Sequence, residues 1–348
     1  VRSAARALAS SVLFWGCARG DDAEATNRPI PEEGRAFPQE YRGHAMGTTL
    51  LFRAYGSPAT TARAFAEADA EFQRLDALLT TWKPSGEPWQ FARLPAGHSL
   101  LLQPETREVL EASLFWYRRS EGAFDITFST LSPLWKFDED RDFHVPSDAE
   151  IASLLPAVGA GHLTYDAVAG TVARDDRRTQ LSFGGIAKGY AVDRAAAIFA
   201  GFGLRTFLIQ AGGDLYATGE KPDGSAFVAA IADPQNPEKS LAQIPLRGHA
   251  FSTAGDYARS FVRDGRRYHH ILDPRTGRPA SACRSVTVWT ETALQADGLD
   301  DAVFVLGPEK GLALVEATPG AGAVIVDAAG AIHVSPRLRD LVTLTPAR

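Results

Sequence analysis

Cysteine is nearly missing from this chain, with two in 348 residues, Cys17 and Cys283. Cys17 sits in the leading segment, so no internal disulfide is expected, and Cys283 reads as a small buried hydrophobe. Methionine is scarcer still, at a single Met46. No block of lysines and arginines occurs, and the formal net charge is −6. A nucleic-acid binder would carry a basic face, so nucleic acid is excluded as a partner. Arg174-Asp175-Asp176-Arg177-Arg178 is mixed in sign and reads as a solvated turn. No apolar run is long enough to anchor in a bilayer. Neither a Walker A loop nor a dinucleotide GxGxxG is present, so neither a P-loop nor a Rossmann fold is indicated. There is no internal repeat.

What is present suffices for a substantial core, with 45% hydrophobic and 22% charged residues. Residues 1–16 carry two arginines, a short apolar run and Gly16 before Cys17, which reads as an export signal with Cys17 as a candidate lipidated first residue. Residues 17–38 are acidic and proline-rich, suited to a flexible tether. The folded domain is then expected over 39–348. On this reading the protein is exported, periplasmic and anchored to the inner membrane as a lipoprotein.

Residues 41–52 read as a strand interrupted at Gly47, with Met46 filling a gap in the core. Apolar residues at three- and four-residue steps predict helices over 60–79 and 104–119. Asp125 follows a glycine-led turn, a usual capping position. Strands are expected over 164–172 and 179–183, the second entering Gly184-Gly185-Ile186-Ala187-Lys188. A strand, two glycines and a helix through Phe199 offer free N–H groups to an anion, and Lys188 adds charge. Gly212-Gly213-Asp214 ends another strand. Ser252-Thr253-Ala254-Gly255-Asp256 reads as a tight loop before Tyr257. Residues 266–272 read as one strand, on which His270 would share a face with Tyr268 and Leu272, and His269 would face the other way. Asp297 and Asp301 are read at the start of a helix, four apart on one face. Two accounts stay open for them: acids complementing a helix dipole, or hard oxygen ligands for Mg²⁺ or Ca²⁺.

Several of these stretches occur in the order found in one family. They are Met46-Gly47-Thr48, Gly122-Ala123-Phe124-Asp125-Ile126-Thr127, residues 185–193 around Lys188, Gly212-Gly213-Asp214, residues 253–257, residues 269–277, and Ala296-Asp297. From Tyr41 to the C-terminus the chain resembles the ApbE-type FAD:protein FMN transferases. That resemblance implies an α+β fold of mixed and antiparallel sheets with packed helices, related to the T-fold, a single domain of two lobes. It implies FAD as substrate, with Met46, Asp125, Lys188, Gly213, Asp214, Thr253, Tyr257 and His270 lining its site. It further implies Mg²⁺ held by Asp297, Asp301 and the Gly185 carbonyl, where the family usually has threonine at the second helix position. Other departures are Ala254 for a serine, no Ser-Glu pair after Ser85, Ala92 or Arg93 near the place of an asparagine, and Ser129-Thr130 for Gly-Pro.

The reaction so implied moves the FMN moiety of FAD onto a threonine or serine hydroxyl of a target protein and releases AMP. His270 is the expected general base, with its neutral form available near pH 7. The alternatives are an Mg²⁺-dependent FAD pyrophosphatase at the same site, or a non-catalytic flavin-binding lipoprotein.

Overall fold

The computed structural model describes residues 37–137 and 143–345. The export segment, Cys17 and the tether through residue 36 lie outside them. At the centre is an eight-stranded sheet in the order Gln39–Ala45, Thr48–Ala54, Phe207–Ala211, Asp214–Thr218, His249–Gly255, Cys283–Thr290, Gly322–Asp327 and Ile332–Val334. All of its neighbouring pairs are antiparallel.

Both faces of this sheet are covered, and strand alternation divides the side chains between two cores. On the Phe207–Ala211 strand, Phe207, Ile209 and Ala211 join the helical side, whose core includes Phe52, Phe72, Phe199 and Phe304. Leu208 points the other way, to a core it shares with Phe227, Ile231, Ile244 and Trp289. That second layer is a three-stranded sheet of Phe227–Asp233, Asn236–Leu246 and Thr343–Leu344. A smaller cluster of Leu131, Trp135, Ile151, Phe261 and Leu272 forms the heart of a second lobe. The architecture is α+β with antiparallel sheets and packed helices. Among the described residues, no helix is long and apolar enough to cross a membrane.

The helix Pro58–Leu79 starts at Ser57, whose side chain accepts the Thr60 N–H, and it buries Ala64, Phe65, Ala68, Phe72, Leu75 and Leu79. Capping by a serine followed by proline in the first turn fixes its start. Each fully buried phenylalanine on the inner stripe contributes about 1.5–3 kcal/mol, which is why the three- and four-residue spacing decides the fold here.

The structure corrects several readings. Residues 41–52 are not one strand but a hairpin, with Ala45 paired to Thr48. Met46 (φ 51°) and Gly47 (φ 70°) form its two-residue turn, both in the left-handed region, as a type I′ connection requires. Residues 164–172 form a second hairpin, Leu163–Asp166 against Thr171–Arg174. Residues 179–183 join no ladder. Residues 252–255 belong to the strand His249–Gly255 rather than a loop, because small side chains suit a strand covered on both faces. Arg174 is not solvated. Its guanidinium is buried, lies over the Phe91 ring and donates to the carbonyls of Thr179, Ala92 and Leu94.

Candidate active site

Two helices bring the chemistry together. The lysine helix, Ala187–Gly201, and the aspartate helix, Ala293–Leu306, pack side by side at Gly189. A Cβ at Gly189 would lie 2.2 Å from the Ala293 carbonyl oxygen and 2.8 Å from the Asp297 Cβ. Only glycine allows that approach. The aspartate helix begins four residues earlier than the sequence suggested. Thr292 caps it, and Asp193 on the lysine helix accepts the Ala293 and Leu294 N–H groups at 2.7 and 2.9 Å. Asp297 therefore sits inside the helix and is buried. The helix-dipole account of it fails, because that effect is confined to the first turn.

Lys188 Nζ lies 2.7 Å from Asp214 Oδ2 and 3.2 Å from Asp297 Oδ1. Asp297 Oδ2 also accepts the Gly189 N–H at 2.8 Å. Ser252 Oγ lies 2.5 Å from Asp214 Oδ1 and 2.6 Å from Asp300 Oδ2. Asp301 faces Gly185 closely enough that a Cβ there would be 2.5 Å from its Oδ2. Four carboxylates thus share one ammonium. Burial, then repulsion from Asp214, pushes Asp297 up to about 7 against the attraction of Lys188. Burial also pushes Asp301 up to about 7, and burial and the neighbouring aspartates raise Asp300 well above the usual carboxylate range. For Lys188, burial alone would favour the neutral amine, but Asp214 and Asp297 outweigh it and the net shift is upward.

A cluster with this surplus of negative charge fits a hard divalent cation. Its donors would be Asp297 and Asp301, with the Gly185 backbone beside them. Among the described residues, no three His, Cys, Asp or Glu side chains are arranged to hold a metal by themselves, so two carboxylates would need a carbonyl and substrate oxygens to complete a shell. The helix start offers less to an anion than its sequence suggested. The Ile186 and Ala187 N–H groups donate to Phe183 O, and that of Gly189 is taken by Asp297.

The two histidines part company, though not by alternation along one strand. Strand Arg266–His269 ends before His270, and Leu272–Asp273 pairs elsewhere with Arg278–Pro279. His269 is buried, its Nε2 2.8 Å from the Ala280 carbonyl and its ring edge-on to Phe304. His270 is half-buried, and its Nδ1 has no hydrogen-bond partner in the protein. Burial, then the charges of Arg259, His269 and Lys188, pushes His270 down to about 3. The imidazole is therefore neutral at any physiological pH. The His270 backbone N–H donates to the Arg259 carbonyl at 3.1 Å, and an Arg259 Nη2 lies 3.9 Å from where a Cβ of Gly47 would be. The Met46 turn and His270 thus adjoin through Arg259.

The other expected residues are placed as follows. Gly213 packs against the Thr253 carbonyl, 3.1 Å from its would-be Cβ. Thr253 Oγ1 lies 2.9 Å from Thr287 Oγ1, on the opposite strand face from Ser252. The Tyr257 ring lies over Gly255, and burial raises its phenol. Asp214 is buried behind Lys188. Asp125 is not brought into the carboxylate cluster. Its Oδ1 accepts the Thr127 N–H and hydroxyl at 2.8 and 2.7 Å, and its Oδ2 the Ala160 N–H at 3.1 Å. Its neighbour Phe124 does approach Gly185. Sequence reasoning missed Ser252 and Asp300 as partners and Asp193 as a helix cap. No local spacing signals these roles, because Ser252 and Asp300 are 48 positions apart.

This arrangement, a lysine among paired acids at a helix contact, is of the class that suits an enzyme active site. The comparisons narrow that class. The ApbE family profile matches residues 46–325, and the chain belongs to the ApbE family. The FAD:protein FMN transferase of Vibrio cholerae is 30% identical over 316 residues, covering 89% of this chain and 90% of that protein. The ApbE protein of Thermotoga maritima superposes with a TM-score of 0.81 at 31% identity, over 88% of this chain and 99% of that one. The flavinyl transferase ApbE of Pseudomonas stutzeri gives 0.78 at 34% identity, over 88% and 96%.

Proposed function

We propose that this chain is an FAD:protein FMN transferase that moves the FMN moiety of FAD onto a threonine or serine hydroxyl of a target protein and releases AMP. The observation that carries this reading is the convergence of Lys188, Asp297, Asp301 and Gly185 from segments more than a hundred positions apart. Family membership and the relatives' names support it. The residues fit Mg²⁺ at Asp297, Asp301 and the Gly185 carbonyl, where the ion would supply positive charge to the diphosphate oxygens.

The protein's own groups do the rest. His270, uncharged, is assigned on the family resemblance as the group that accepts the proton of the attacking hydroxyl. That oxygen bonds to the FMN-side phosphorus as the bond to the AMP-side bridging oxygen breaks, and AMP leaves with the electron pair. Lys188 places a fixed positive charge beside the reacting phosphates. Met46, Gly213, Thr253 and Tyr257 are assigned to FAD binding on the family resemblance. The extra acid at 301 leaves metal binding intact but alters metal preference.

Incubation with FAD, Mg²⁺ and a threonine-containing acceptor peptide tests this. Flavinylated peptide plus AMP is expected. Free FMN plus AMP with no labelled peptide would show a pyrophosphatase instead, and FAD recovered intact would show a flavin carrier. We further propose export to the periplasm with a lipid anchor at Cys17, on the sequence of the leading segment. Cys17→Ala should then move the protein from the membrane fraction to the soluble one.

A further inference from the structure

Asp297 lies 3.2 Å from an ammonium, which is a monovalent substitute for the cation the site fits. We propose that Lys188 is a built-in counter-ion that competes with the divalent cation for Asp297 and, once displaced, turns its charge to the nucleotide phosphates. One side chain would then couple cation loading to substrate binding. The inference rests on the functional reading above and adds the way the two ligands are made interdependent.

Three observations carry it. Lys188 Nζ touches two carboxylates unequally, at 2.7 Å for Asp214 and 3.2 and 3.4 Å for Asp297. Asp214 is the fixed anchor, only 2% exposed and held from behind by Ser252. Lys188 itself is 26% exposed, so it reaches from the buried anchor towards solvent. An ammonium has three donors and no acceptor. Losing Asp297 to a cation leaves it anchored on Asp214 with donors to spare. A second cation drawn to Asp297 meets like-charge repulsion from Lys188 until a diphosphate takes up that charge. Linkage then requires each ligand to tighten the other by the same factor.

The test is calorimetric titration of Mg²⁺ alone into nucleotide-free protein at pH 8, repeated with FAD. In Lys188→Gln, Mg²⁺ affinity without nucleotide should rise about tenfold, and the gain in affinity conferred by FAD should shrink by a similar factor. Lys188→Arg, which keeps the charge, should stay within about threefold of wild type. Unchanged or weaker Mg²⁺ affinity in a folded Lys188→Gln would overturn the proposal and make Lys188 a simple pin between strand and helix. Wild-type protein that binds no Mg²⁺ would defeat the metal reading itself, a separate result. A second measurement needs no variant. Labelling of Lys188 by an amine-reactive reagent in the wild-type protein should rise several-fold on adding Mg²⁺ and fall again with FAD. Labelling indifferent to Mg²⁺ would equally overturn the idea.

Discussion

A carboxylate at 301 places a fourth acid, half-buried, beside Asp297, Asp214 and Asp300, which already crowd round one lysine. Replacing it by the hydroxyl usual in the family separates its two effects. Asp301→Thr should weaken Mg²⁺ binding about tenfold or more, because affinity for hard cations follows ligand charge. It should also make the metal-free protein more stable at pH 8, since a raised carboxylate no longer ionises in the fold. Calorimetry and thermal melts read the two separately. His270 makes a different prediction. With its imidazole pushed down to about 3, it contributes no acid limb near pH 6.5 to kcat/KM. The limb should instead fall near 7, where Asp297 and Asp301 lose their protons, and should move to lower pH as Mg²⁺ is raised. His270→Gln should lower kcat about 10²–10⁴-fold and leave that limb in place. A limb that disappears with His270 would show that the histidine, not the acids, is the group titrating.

At the level of elements, the site depends on how closely the lysine and aspartate helices approach. Gly189→Ala would put a methyl into the Ala293 carbonyl and the Asp297 Cβ. Overpacking of this kind costs about 1–3 kcal/mol. Urea denaturation should show that loss, and the same variant should bind Mg²⁺ poorly because Asp297 is pushed out of register with Asp301 and the Gly185 carbonyl. Stability lost with binding intact would mean that the helices reseat without disturbing the carboxylate. Elements were legible in the sequence where one face is wet. The helices Pro58–Leu79 and Pro104–Arg119 each show an apolar stripe against polar residues. The aspartate helix is buried at nearly every position from Ala296 to Val305, so it has no stripe, and its start was misplaced to Asp297. The same cause turned residues 252–255 into a loop, since a strand covered on both faces can be built from Ser, Thr, Ala and Gly without alternation. The break at His270 and the burial of Arg174 depend on distant carbonyls, which no local pattern reports. The site residues that could be read were those whose types form ordered motifs. Their mutual distances could not be read, and neither could the ion pair that links 188 to 297.

Across the whole molecule, these buried charges tie stability to pH and to metal. Asp297 and Asp301 titrate near 7 in the fold and near 3.9 in an unfolded chain. A raised pKa means the unfolded state releases its protons first. The contribution to stability is therefore complete below about 4 and is lost as pH climbs through about 7. A divalent cation binds the ionised forms and repays this loss in the same window. At a hundredfold excess over Kd it contributes about 2.7 kcal/mol, several degrees in Tm for a chain of this length. In a chelator, the Tm should therefore fall between pH 5 and pH 8. In millimolar Mg²⁺ it should stay nearly level, so that the gap between the curves is smallest at pH 5 and widest at pH 8. Parallel curves would mean that the cation binds away from these aspartates, and a gap widening towards acid would mean that the two acids are ionised throughout.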